Sequence, residues 1–114
     1  MASVSAMNWR EFQPVIERGF NADGYTVTRL QGAADFRLVK AGRVSVLCCK
    51  RWKAANHGVE ALRELDAARD AQEAHEAVYV ALGEISDNAR QFAATRKIRL
   101  MTGQELTLLL QLAK

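Results

Sequence analysis

Asp35 and Lys50 are the residues whose types and spacing best suit chemistry. The runs Asp35 to Lys40 and Arg43 to Arg51 flank Ala41-Gly42, where Gly supplies the positive backbone dihedral of a tight hairpin. Folding the arms together sets Asp35 across from the far end of the second arm, near Cys48 to Lys50. Side chains alternate along that arm, so Val44, Val46, Cys48 and Lys50 share one face and Ser45, Leu47, Cys49 and Arg51 the other. An ammonium that ends an apolar face needs a nearby anion, or else the strand must stop and release it to water. A carboxylate and a lysine at one rim can do phosphodiester chemistry. The carboxylate holds a divalent metal ion, and the lysine orients the attacking water or steadies charge developing on the phosphate. The same two residue types also form ordinary surface ion pairs, and the pair alone does not choose between these readings.

The elements that must position this pair follow from the rest of the chain. Asn8 caps a helix in which Trp9, Phe12, Ile16, Gly19 and Phe20 recur at helical spacing, with Glu11 placed for a capping box and Pro14 making the first turn awkward. Tyr25 to Leu30 is rich in β-branched and aromatic residues and reads as a strand. After the hairpin, a second helix capped by Asn56 carries Val59, Leu62, Leu65, Ala68 and Gln72 in one stripe, with Glu60, Arg63 and Glu64 mostly off it. Ala77 to Leu82 is an apolar run of central-strand type. Ser86 caps a third helix, Ile98 to Met101 is a short strand, and Thr102-x-x-Glu105 opens a Leu-rich final helix. The order αβββαβαβα argues for an α/β mixed sheet with helices on both sides.

With 114 residues, 49% hydrophobic and 25% charged, the chain makes one globular domain, 8–114, behind a flexible 1–7 segment. The N-terminus lacks the features of a secretory signal and no apolar run reaches the ~20 residues of a membrane helix, so a cytoplasmic location without membrane contact is expected. The net charge of +3 is unevenly spread: residues 1–53 carry nine Lys/Arg against four Asp/Glu. Within that half, Lys50-Arg-Trp-Lys53 joins basic groups to an indole, able to meet phosphates through charge and a base or sugar through the ring. The competing reading is a solvated strand end with Trp52 packed on the fold. Arg51, Trp52 and Lys53, with His57 at the start of the next helix, are the candidate nucleic-acid contacts, and Arg29, Arg37 and Arg43 are candidates to extend them. Cys48 and Cys49 point to opposite faces and pack as small hydrophobes, so they suit neither a structural zinc site nor a disulfide framework.

Laid end to end, these pieces resemble a known family, the Mrr-like (type IV) restriction endonucleases of the PD-(D/E)xK nuclease superfamily. The resemblance runs through Trp9-Arg-Glu-Phe12, Gly24-Tyr-Thr-Val-Thr-Arg-Leu30, the Asp35 to Lys50 interval, Cys49-Lys-Arg-Trp-Lys53, Gly58-Val59 and Leu62-Arg-Glu-Leu65. It continues through Ala89-Arg-Gln-Phe-Ala93, Ile98-Arg-Leu100 and Gly103-Gln-Glu-Leu106, covering nearly the whole chain. It implies a restriction-endonuclease-like fold, with Asp35 as the metal-binding aspartate and Lys50 as the catalytic lysine. Two site positions depart from the pattern. Cys48 stands where the family places Glu or Gln two residues before the lysine, and its soft sulfur suits Mg2+ poorly. Gln13 stands where many members have a glutamate. The backbone carbonyl of Cys49 remains a possible ligand.

The resemblance thus implies a DNA-binding, metal-dependent endonuclease with Mg2+ or Mn2+ weakly held by Asp35 and Cys49, and with activity weakened at Cys48 and Gln13. The alternative is a catalytically inactive nucleic-acid-binding module on the same fold, and a third class is a protein-interaction domain without nucleic-acid affinity. Cutting two strands calls for two sites, so a homodimer is compatible with the resemblance, though no residue demonstrates pairing.

Overall fold

The computed structural model describes residues 7–112, so the expectation for 1–7 falls, Met7 excepted, outside the described residues. The first helix, α1 (Trp9–Ala22), opens on a closed capping box: Asn8 Oδ1 accepts the Glu11 amide at 2.9 Å and Glu11 Oε1 accepts the Asn8 amide at 3.0 Å. Pro14 lies inside this helix, where the lost hydrogen bond and ring clash cost about 3 kcal/mol. Phe12, Ile16 and Phe20 are buried on its inner face, and at roughly 1.5–3 kcal/mol each their burial outweighs that cost. The helix therefore continues past the proline to Ala22.

Three antiparallel strands follow: β1 (Thr26–Arg29), β2 (Phe36–Lys40) and β3 (Arg43–Cys48). Ala41 and Gly42 turn the β2–β3 hairpin with φ of 54° and 78°, so both central residues are left-handed, as the right-handed twist of a hairpin favours. The chain then crosses over through α2 (Val59–Ala71) to β5 (Glu76–Val80), which lies parallel to β3. It crosses again through α3 (Asp87–Arg96) to β7 (Ile98–Met101), parallel to β5, and ends in α4 (Gly103–Leu112). The result is a five-stranded mixed sheet in the order β1-β2-β3-β5-β7.

Alternation along β3 and β5 builds a core on each face of the sheet. Leu47, Cys49, Val78 and Val80 join Phe12, Ile16, Phe20, Leu106 and Leu109 from α1 and α4. Val46, Cys48, Ala77 and Tyr79 join Leu62, Leu65, Ala89 and Ala93 from α2 and α3. Asp66 pairs with Arg69 of its own helix and with Arg96 of α3, and the second pair ties α2 to α3. No described helix is long and apolar enough to cross a membrane.

The mixed sheet flanked by helices agrees with the expected class, but the element order gains two short strands. Asn56 does not cap the second helix. Asn56–His57 forms β4, paired in parallel with β6 (Glu84–Ile85), and the helix starts after Gly58 with no side-chain cap. Close backbone approach makes this possible: a Cβ at Gly83 would sit 2.2 Å from the Ala54 carbonyl oxygen, so only glycine lets the two loops meet.

Candidate active site

The β2–β3 register ends at the pair Phe36–Leu47, so Asp35 falls opposite Cys48 one step farther on. Its amide donates to the Leu47 carbonyl at 2.8 Å, extending the ladder by one bond. The carboxylate is buried at 3% exposure, and its Oδ2 accepts two backbone amides, Cys49 at 2.7 Å and Lys50 at 2.8 Å. Those amides would otherwise be free to continue the strand. Asp35 thus terminates β3, and Lys50, expected on the strand, stands in the turn that follows with its side chain in solvent. Its Nζ lies 3.9 Å from Asp35 Oδ1 and 5.9 Å from the centroid of the half-buried Trp9 ring. The two groups chosen from sequence do meet at one rim.

The rim opens into a cleft of about 200 Å³. Asp35, Cys48, Lys50 and Arg51 contribute from the sheet side, and Glu60 and Glu64 from α2. The two glutamates were overlooked by reading α2 for its apolar stripe. Their spacing of four, which stacks them on one helix face, was the available signal. Gln13 is half-buried on α1 and is not among the residues lining the cleft. Burial pushes the Cys48 thiol up to about 12, helped by the charges of Asp35 and Glu64, and pushes the Cys49 thiol well above its ordinary value.

The expected nucleic-acid contacts divide. Arg51 and Lys53 are exposed. Lys53 Nζ donates to the Met7 carbonyl at 2.5 Å, anchoring the start of α1. Trp52 is instead a core residue: the indole is 1% exposed and stacks on Phe12 with ring centroids 4.0 Å apart and planes 10° apart, so packing replaces the surface contact expected of it. His57 is buried too. Its Nδ1 lies 2.7 Å from the Tyr79 hydroxyl, while Nε2 has no hydrogen-bond partner among the described residues. Burial lowers the His57 pKa and the Arg51 charge lowers it further, while burial raises Tyr79 to about 12. Both rings line a second cavity of about 230 Å³ that shares Arg51 and Glu60 with the first. Arg29 and Arg43 are engaged by Glu17 and Glu76.

The donor set can be weighed against the metal that such a site implies. Asp35 Oδ1 makes no hydrogen bond among the described residues and lies 3.9 Å from the Lys50 ammonium. The Cys49 carbonyl accepts the Trp52 amide at 3.1 Å and keeps a second lone pair. No three His, Cys, Asp or Glu side chains among the described residues converge into a ready ligand set. Mg2+ holds several waters and takes one or two carboxylates, so these donors fit a hydrated hard cation and not a soft one.

A family model described as "Restriction endonuclease", of the Mrr catalytic type, matches residues 4–110. Among solved structures, the crystal structure of AF1548, a protein of unknown function, superposes with a TM-score of 0.71 at 16% identity over 88% of this chain and 64% of that one. A repair endonuclease from Pyrococcus abyssi superposes with a TM-score of 0.60 at 15% identity over 84% of this chain and 46% of that one. At such identities the likeness is one of fold, and the chain spans less than two thirds of either protein. No curated protein sequence matches significantly.

Proposed function

The chain belongs to the restriction endonuclease family whose model it matches from residue 4 to 110, and from that premise we propose that it is a metal-dependent endonuclease acting on DNA. The observation that carries the reading is the Asp35–Lys50 rim: a buried carboxylate with one oxygen fixed by two amides and the other beside an exposed ammonium. Asp35 Oδ1 and the Cys49 carbonyl would hold a hydrated Mg2+ or Mn2+, which when bound polarises the phosphodiester and acidifies a water. Lys50 faces the same cleft, where its ammonium orients a nucleophilic water or offsets charge gathering on the phosphoryl oxygens. Arg51 adds a second cation to the rim and positions the backbone through its phosphates. Cys48 and Gln13 bring no hard anionic oxygen, so the cation is weakly held and turnover is slow.

The buried Cys48 thiol favours a second reading, a module that binds DNA and has lost turnover. Incubating supercoiled plasmid with the protein, with and without Mg2+ or Mn2+, separates the two. Metal-dependent nicking abolished by a chelator supports the enzyme. An inert protein that still retards DNA in a gel supports the binder, and one that does neither contradicts both.

A further inference from the structure

We propose that Glu64 supplies the hard oxygen that Cys48 does not, so that the cation is gripped across the cleft between Asp35 on the sheet and Glu64 on α2. The inference rests on the metal-dependent reading above and adds a residue to it. Three observations carry it. Glu64 and Asp35 line the same cleft of about 200 Å³, with Cys48 and Lys50 beside them. Leu62 and Leu65, which flank Glu64 in sequence, are buried at 1% and 0% exposure, so the helix backbone that presents Glu64 is fixed against the sheet. Among the described residues Glu64, like Glu60, forms no ion pair, so its carboxylate is not engaged by an arginine as those of Glu17, Glu76, Glu105 and Asp66 are.

Asp35, Cys48 and Glu64 all line this cleft, so both carboxylates border the space beside the position where the expected ligand is missing. Two carboxylates bordering one cleft repel unless a cation offsets their charge. Such a pair of donors suits Mg2+, which keeps part of its hydration shell and needs only one or two carboxylates. Glu60 also lines the cleft, but it stands in the first turn of α2 and shares the neighbouring cavity, where the helix N-terminus already offers its charge a favourable field. Glu64 lies beyond that turn and lines this cleft without the other.

The test is Mn2+ binding followed by electron paramagnetic resonance on the full chain without DNA, with thermal melting to confirm folding. Glu64 is exposed, so Glu64→Gln leaves the core intact. Asp35→Asn and Glu64→Gln should each weaken Mn2+ binding about tenfold or more, as loss of a coordinating carboxylate would, while Glu60→Gln should leave it within about threefold. Adding Cys48→Glu to Glu64→Gln should restore binding. If Asp35→Asn weakens binding and Glu64→Gln does not, this inference fails while the metal reading survives. An equal loss in Glu60→Gln would mean that net charge alone is at work and would also overturn it. A wild type that binds no Mn2+, or binding indifferent to Asp35→Asn, overturns both.

Discussion

Asp35 holds Lys50 at both ends: one carboxylate oxygen accepts the lysine's backbone amide at 2.8 Å, while the other lies 3.9 Å from its ammonium. The first contact ends a strand and the second sets a charge at the mouth of a cleft. A single side chain therefore shapes the turn and also equips it, and the two roles separate under mutation.

Asp35→Ala removes the acceptor for two amides, and each buried donor left unsatisfied costs about 1–3 kcal/mol, so the predicted loss of stability is about 2–5 kcal/mol. Asp35→Asn keeps an oxygen for those amides and should cost clearly less. Lys50→Ala breaks only an ion pair that is more than half exposed at the lysine and should stay within about 1 kcal/mol. Urea unfolding of the three variants checks the order, and an Asp35→Ala protein as stable as wild type would contradict the structural role.

Trp52→Ala should destabilise by about 3–5 kcal/mol, because the indole is buried and stacked on Phe12. Trp52→Phe should recover much of this loss. If Trp52→Ala folds as stably as wild type and loses DNA affinity alone, the ring works at the surface after all.

Arg51→Ala should flatten the salt dependence of DNA binding, lowering the log–log slope by about 1 through one lost phosphate contact. A gel-shift series over salt measures this directly. An unchanged slope would remove Arg51 from the binding face.

Both thiols should resist alkylation in the native protein at pH 8, where burial keeps Cys48 protonated with a pKa of about 12 and holds Cys49 well above its ordinary value. Mass spectrometry after iodoacetamide should show labelling only once denaturant is added. Rapid native labelling at Cys48 would mean that the cleft floor opens to solvent.

His57 gives stability a defined pH slope. Its folded pKa lies below the unfolded value of roughly 6.5, so the unfolded chain takes up a proton first as pH falls. The stability it contributes is full above that value and declines as pH drops through and below it. Melting curves between pH 7.5 and 5 should fall more steeply for wild type than for His57→Gln, and equal slopes would contradict the cause.

The hairpin and its acid–amine rim were legible because Ala41-Gly42 fixes the turn and, through it, the register that carries Asp35 to the end of β3. The caps at Asn8 and Ser86 and the apolar run of β5 were legible for the same local reason. Strands β4 and β6 were not. Two residues show no periodicity, and this pair forms only because Gly83 passes against the Ala54 and Ala55 carbonyls. Trp52 amid basic residues reads alike whether its ring faces solvent or Phe12, which lies 40 positions earlier. The Glu60–Glu64 pair reads as solvated helix until α2 is laid over β3.

The most direct measurement is cleavage and binding of supercoiled plasmid in the same Mn2+-containing samples for wild type, Asp35→Asn and Lys50→Ala. Wild-type nicking, lost in both variants while each still binds DNA within a few-fold of wild type, is the predicted result. Nicking that persists undiminished in either folded variant would remove that residue from the chemistry and contradict the account.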